Sequence, residues 1–361
     1  MFIVAKAMLY LCFSILIGTF ILYSVPKTKR PDIFVQKSWL LLLIALVPVF
    51  GIGELMRLTL HLGEGIGYWL TFQNIVFSFE IGKGWLFLTG ISVLLFFMVM
   101  FNDVGEERFF AGLSLVLLTG MALSVGYASH AASLDSLGIF AHSLHFLAVT
   151  AWSGTLLAVG FFSKDKGPGL SFYKWFTPFA LVCLFIVIGA GIWLMSYIVP
   201  EYFNGYLLNY GQALLIKHVF LFVVIFYSLI NGVWLKKKLK EGDSSLSLKK
   251  WIRAEGILLF FVFAATAVMS QQTPPHDVAE TLKMEKPSPL FSFITGLNPG
   301  DNPMLRVEIT LMSFGWLLAC LILLTVVFIG IKRKIGFLPV FGCSILAACS
   351  LYLAVMSSLS L

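Results

Sequence analysis

The stretch YASHAASLDSLGIFAHSLHFLAVTAWSG, residues 127–154, decides how this chain is read. It leaves one hydrophobic run, turns, and enters the next carrying His130, His142 and His145. These are half of the six histidines in 361 residues. His142 and His145 stand three apart in an otherwise apolar run. At about 100° per residue they leave a helix on nearly one face, and Trp152 lies one heptad below His145 on the same stripe. An imidazole inside a lipid-spanning helix is costly, so the pair is expected to face an interior site.

Composition makes the bilayer the solvent. Hydrophobic residues are 59% of the chain and charged residues 12%. One soluble core of this length has no room for so much apolar surface. Cys12, Cys183, Cys320, Cys343 and Cys349 each fall inside apolar runs without a C-x-x-C pair, and read as small buried hydrophobes. The N-terminal run is about twenty residues long, lacks a small-x-small cleavage site and ends in Lys27, Lys29 and Arg30, so it reads as a retained span.

Ten helices follow, at 3–24, 38–61, 84–101, 109–129, 137–162, 175–199, 211–235, 252–271, 307–331 and 335–357. Each is near the ~20 residues needed to cross the hydrocarbon. The predicted fold is an all-α, polytopic transmembrane helix bundle. Basic residues crowd the odd-numbered loops: Lys27, Lys29, Arg30 and Lys37; Lys164, Lys166 and Lys174; Lys236, Lys237, Lys238, Lys240, Lys249, Lys250 and Arg253; and Lys332, Arg333 and Lys334. Odd loops in the cytoplasm and both termini outside is the consistent solution. The same residues near anionic lipid account for the net charge of +7, and no aromatic-interleaved basic groove points to nucleic acid. Two outer loops are long. Residues 62–83 are aromatic-rich and read as an interfacial segment, and 272–306 read as a polar cap.

With depth counted from the outer helix ends at about 1.5 Å per residue, His142, His145 and His218 fall in one layer. Glu54 reaches that layer from helix two, where Glu54, Arg57 and His61 share a face and the first two are expected to pair. His130 sits at the mouth of helix four above Met121, while Met195 and Met269 lie near the outer ends of helices six and eight. No histidine lies in the cytoplasmic half of any span. Neutral imidazole binds Cu, Zn, Fe or Ni, and thioether favours Cu(I). The candidate metal ligands are therefore His130, His142, His145 and His218, with Met121, Met195, Met269, Glu54, Arg57 and His61 as accessories. The methionines and His61 also read as packing or solvated residues. Arg253 and Glu255 read as anchors opening helix eight.

Several blocks in order resemble the copper-resistance protein D (CopD) family of bacterial inner-membrane proteins. They are His130-Ala131; His142 with Trp152 and Gly154; Gly191; Tyr210-Gly211 with Leu214, Leu215 and Lys217; Arg253 with Glu255; and Thr273-Pro274-Pro275. The resemblance covers residues 120–275. It divides the chain into an N-terminal three-helix segment (1–108), a CopD-like core (109–275), and an outer loop with two C-terminal helices (276–361). Where the family tends to Gly-His-Ala, this chain has Ser129-His130-Ala131.

The resemblance implies copper handling, as transport, uptake or resistance, in the bacterial inner (plasma) membrane. Some relatives carry a fused extracytoplasmic copper-binding domain of the CopC kind. This sequence shows none, so a separate extracytoplasmic copper-binding protein is the expected partner beside membrane lipid. In this reading His130 is the entrance and His142, His145 and His218 the inner site. No enzymatic activity is expected. No ATP-binding loop or phosphorylation-type motif is present, so pumping would need another energy source. Two alternatives stay open: a haem b electron-transfer protein with bis-histidine ligation, for example by His145 and His218, and a copper-delivery assembly factor.

Overall fold

A computed structural model describes residues 1–65, 67–164, 168–242, 248–297 and 304–361. Lys166 of the fifth loop and residues 298–303 of the loop 272–306 lie outside the described residues. The helices are α1 Phe2–Ser24, α2 Lys37–Leu62, α3 Tyr68–Ser78, α4 Glu80–Phe101, α5 Arg108–Tyr127, α6 His130–Leu134, α7 Gly138–Phe162 and α8 Leu170–Ile198. They continue with α9 Asn209–Leu229, α10 Lys236–Lys240, α11 Leu248–Met269, α12 Val278–Met284, α13 Pro289–Thr295, α14 Leu311–Lys332 and α15 Phe337–Met356. A π-helical segment, Ile230–Leu235, joins α9 to α10 without a break. Two short strands, β1 Arg306–Val307 and β2 Leu359–Ser360, pair antiparallel with Arg306 opposite Ser360.

Among the described residues, ten helices are long and apolar enough to span a bilayer: α1, α2, α4, α5, α7, α8, α9 through α10, α11, α14 and α15. The chain is an all-α multi-pass membrane protein. Away from prolines, each span closes its own backbone hydrogen bonds, as hydrocarbon demands. Helix limits shift where local chemistry overrides hydropathy. The ninth span begins at Leu311 rather than 307 because Thr310 caps it. Thr310 Oγ1 accepts from Ser313 N at 3.0 Å, and Ser313 Oγ accepts from Thr310 N at 2.9 Å. The aromatic segment 62–83 forms α3, which starts after Gly67 at φ +102°, a conformation that favours glycine.

The chain divides into two compact units, Met1–Tyr197 and Ile198–Leu361. In the first, α1 lies against α7, α2 and α5, α4 bridges α2 and α5, and α3 fills the angle between α2 and α4. Phe13, Leu16 and Phe20 of α1 are fully buried, and α7 and α1 are the most enclosed spans of this unit. Large apolar side chains on α2, α4 and α8 (Val49, Phe87, Phe185) are exposed, the surface a span offers to lipid. Pro48 inside α2 has no N–H for the Ile44 carbonyl four residues back. Ser92 Oγ of α4 donates to that carbonyl at 2.8 Å, and Trp85 Nε1 donates to Pro48 O at 2.9 Å. The gap in one helix is thus filled by its neighbour.

In the second unit, α9 packs on α11 and α15, and α14 on α15. Tyr227 and Ser344 hydroxyls meet at 2.8 Å between α9 and α15. Gln212 Nε2 donates to Tyr206 O at 2.5 Å, and Tyr352 donates to Gln212 Oε1.

Candidate metal site

In the first unit the histidines of α7 are set by how closely α1 approaches it. Gly18 and Gly154 meet backbone to backbone: a Cβ on Gly154 would stand 1.9 Å from Ser14 O, and one on Gly18 would stand 2.0 Å from Gly154 C. Small residues permit this contact, which fixes the height of the two helices. One to two turns away, Phe146 meets Phe13 edge-on at 5.0 Å and Tyr10 at 5.9 Å. The His142 ring lies near-parallel to Phe146, with centroids 6.5 Å apart.

His145 turns toward α8. Its Nδ1 lies 3.0 Å from the carbonyl oxygen of Val187. A carbonyl only accepts, so Nδ1 carries the proton and donates, and neutral His145 keeps its lone pair on Nε2. The ring lies beside Gly191, one turn on, where a Cβ would stand 3.4 Å from His145 Cε1, an ordinary van der Waals contact. His130 is exposed at the first position of α6. Ser129 before it has φ −84° and ψ 154°, ordinary extended backbone, and its side chain accepts from Ala132 N at 3.3 Å. A serine where the family tends to glycine therefore costs no strain and adds a helix cap. Met121 is fully buried, and Met195 is half-buried on α8.

The expected Glu54–Arg57 pair is present. Arg57 Nε and Nη2 both donate to Glu54 Oε1, at 2.9 and 2.6 Å. Lys6 Nζ of α1 adds a second cation 4.0 Å from Glu54 Oε2. Two cations thus hold this carboxylate in the first unit. His61, in the last turn of α2, is exposed.

In the second unit His218 projects from α9 toward the turn that precedes that helix. Its Nδ1 is 3.0 Å from the Tyr202 hydroxyl, and the rings are 6.2 Å apart. The 3-10 turn Asn204–Leu207 presses on the start of α9, where a Cβ on Gly211 would stand 2.0 Å from Gly205 O. This contact explains Tyr210-Gly211: glycine alone allows the turn to lie there. Val199, Tyr210 and Leu214 form the local core, with Tyr202 and Met269 packed against it. Tyr206 hydrogen-bonds Tyr202, and burial pushes the Tyr202 phenol up from its ordinary value, so it stays protonated at physiological pH.

Each proposed ligand is therefore placed within its own unit: His142 with Phe146, His145 with Val187, His218 with Tyr202. Among the described residues, no group of three or more His, Cys, Asp or Glu is gathered to hold a metal ion. The sequence reading missed Val187, Lys6 and Tyr202. Only Tyr202 left a signal, the aromatic cluster Tyr202-Phe203…Tyr206 just before the histidine-bearing helix.

Residues 170–269 match the family model described as copper resistance protein D. The chain is also 22% identical over 316 residues to "Copper transport protein CutJ" of Bacillus subtilis (strain 168), a match covering 82% of this chain and 58% of that protein. The chain thus spans less than two thirds of the length of that relative. No solved structure matches it. Ten apolar spans and these matches agree: the chain is a multi-pass protein of the cell membrane whose residues 170–269 match the copper resistance protein D family and which is similar to a copper transport protein over most of its length.

Proposed function

We propose that this chain is a copper-binding transport or resistance protein, without enzymatic activity, that takes copper from the extracytoplasmic side through imidazoles of its membrane helices. The observation that carries the reading is the tautomer of His145. Donation of Nδ1–H to the Val187 carbonyl fixes the tautomer that carries the ring's lone pair on Nε2 inside a span, the arrangement of a metal-ligating histidine whose second nitrogen is held by its surroundings. The copper resistance protein D match and the copper transport protein relative supply the metal. His130 is the exposed entrance, His142 and His145 serve from α7, and His218 serves from α9 through Nε2 when its Nδ1–H is donated to Tyr202. Met121, Met195 and Met269 are accessory thioethers, and Glu54, Arg57 and His61 are accessory polar groups.

The experiment is a metal analysis with an optical spectrum on the purified full chain. Copper bound at one ion or more per chain, without a Soret band, is expected. A Soret band with a bis-imidazole reduced spectrum and no copper would replace this reading with a haem one.

Tyr202→Phe is expected to raise the copper dissociation constant by about ten-fold, because the phenol that orients His218 is lost while the ring packing stays. Copper titration of the variant checks this, and an unchanged constant removes His218 from the site.

In this reading, from the basic loops, both termini and the segment 272–306 lie outside and the basic connection 236–253 lies in the cytoplasm. A cysteine at the exposed position Met284 (Met284→Cys) is expected to react with an impermeant maleimide on intact cells. Lys237→Cys is expected to react only after the membrane is opened. The opposite pattern inverts the topology.

A further inference from the structure

Glu255 is a second site that copper binding leaves unused. The sequence placed it at the opening of a helix, but α11 begins at Leu248, so Glu255 lies two turns in and is 1% exposed. Its carboxylate accepts from Ser228 Oγ and, at 2.7 Å, from Asn231 Nδ2. Both donors are uncharged. Among the described residues no lysine, arginine or histidine forms an ion pair with it. Asn231 is 3% exposed, and its Oδ1 has no hydrogen-bond partner among the described residues. A carboxylate and an orphaned amide oxygen thus share one buried place in a membrane-spanning region. An uncompensated charge there is expensive, and cation binding removes the expense.

The backbone around the pair is irregular. Ser228 lies in the last turn of α9, and Asn231 lies in the π segment Ile230–Leu235. Single π turns inside helices recur at functional positions, and interrupted membrane helices are where coupling ions are held in transporters. The titratable group facing the cluster from α9 is Tyr227, with Cys343 of α15 behind it. The π segment brings none, and Arg253, on α11 itself, is exposed.

We propose that Glu255, Asn231 and Ser228 form a coupling-cation site that takes a proton or a sodium ion. The oxygen donors are hard and suit either cation, whereas copper is favoured by the thioether and imidazole donors of the other site. One bound cation neutralises the carboxylate. Resting on the copper-transport reading, this site would couple copper movement to a cation gradient.

The test uses the full chain in nanodiscs without copper, so its outcome is independent of that reading. For the proton, an acid–base infrared difference spectrum is expected to show a carboxylic-acid carbonyl band that Glu255→Gln removes and Glu280→Gln, at an exposed carboxylate, leaves. For sodium, sodium chloride against choline chloride is expected to raise the unfolding temperature of the wild type and not of Glu255→Gln. Either signal, abolished by Glu255→Gln, supports the site and names its cation. Absence of both signals, or their survival in Glu255→Gln, overturns it. Should Glu255→Gln fail to fold, Ser228→Ala and Asn231→Ala are read instead. Each is expected to move the proton midpoint by about one pH unit or weaken sodium about ten-fold, and no movement in either variant overturns the site. With the site established, copper flux into proteoliposomes is expected to follow the gradient of the same cation.

Discussion

His145→Ala is expected to lose most of the copper bound by the wild type while the protein stays inserted and folded. The substitution removes the Nε2 lone pair together with the Nδ1–H bond to Val187 O. Loss of a supporting partner alone weakens metal sites about 10- to 100-fold, so loss of the ligand is expected to cost at least about 100-fold in affinity. The folding cost is expected to be smaller, about 1 kcal/mol for the one hydrogen bond lost. Copper titration and a thermal melt on the same preparation separate the two effects. Equal copper content in wild type and variant would remove His145 from the site and, with it, the observation on which the copper reading rests.

The largest structural effect is expected at Gly154→Ala. Helix propensity alone favours alanine over glycine by about 1 kcal/mol. Here the added methyl would stand 1.9 Å from Ser14 O, a backbone atom that cannot rotate away. The helices α1 and α7 must part along their whole contact, which carries the Phe13–Phe146 packing beside the histidines. The net loss is expected to exceed about 3 kcal/mol, within the range of severe core disruptions. Gly189→Ala is the control: a Cβ there meets nothing within 4 Å, so the variant should be as stable as the wild type or slightly more so. Melting both variants in detergent checks the prediction. Equal stability for the two would mean that α1 and α7 do not meet at Gly18 and Gly154 in the membrane.

The two effects share one origin. Glycines on α1 and α7 set how close the helices come, that closeness sets the height of Phe146, and Phe146 with Val187 sets the rings of His142 and His145. The same pattern recurs in the second unit, where Gly211 admits the turn that carries Tyr202 to His218. The motif glycines Gly154 and Gly211 thus act by admitting a backbone at close range beside the histidine helices, and neither has a positive φ.

The sequence by itself determined the ten spans and the all-α class. Both follow from local quantities: about twenty apolar residues cover the hydrocarbon, and each backbone group must be satisfied within its own helix. It also determined the Glu54–Arg57 pair, since three residues along a helix are neighbours by geometry. Only the tertiary structure decided which face of each helix looks inward. In a bilayer the lipid side is as apolar as the packed side, so the hydrophobic period that orients helices in water carries little information. Hence Lys6 on Glu54, Val187 on His145, Tyr202 on His218 and the burial of Glu255 against Asn231 had to be seen. Each joins residues that no helical repeat relates, through contacts made only when one helix or turn is laid against another.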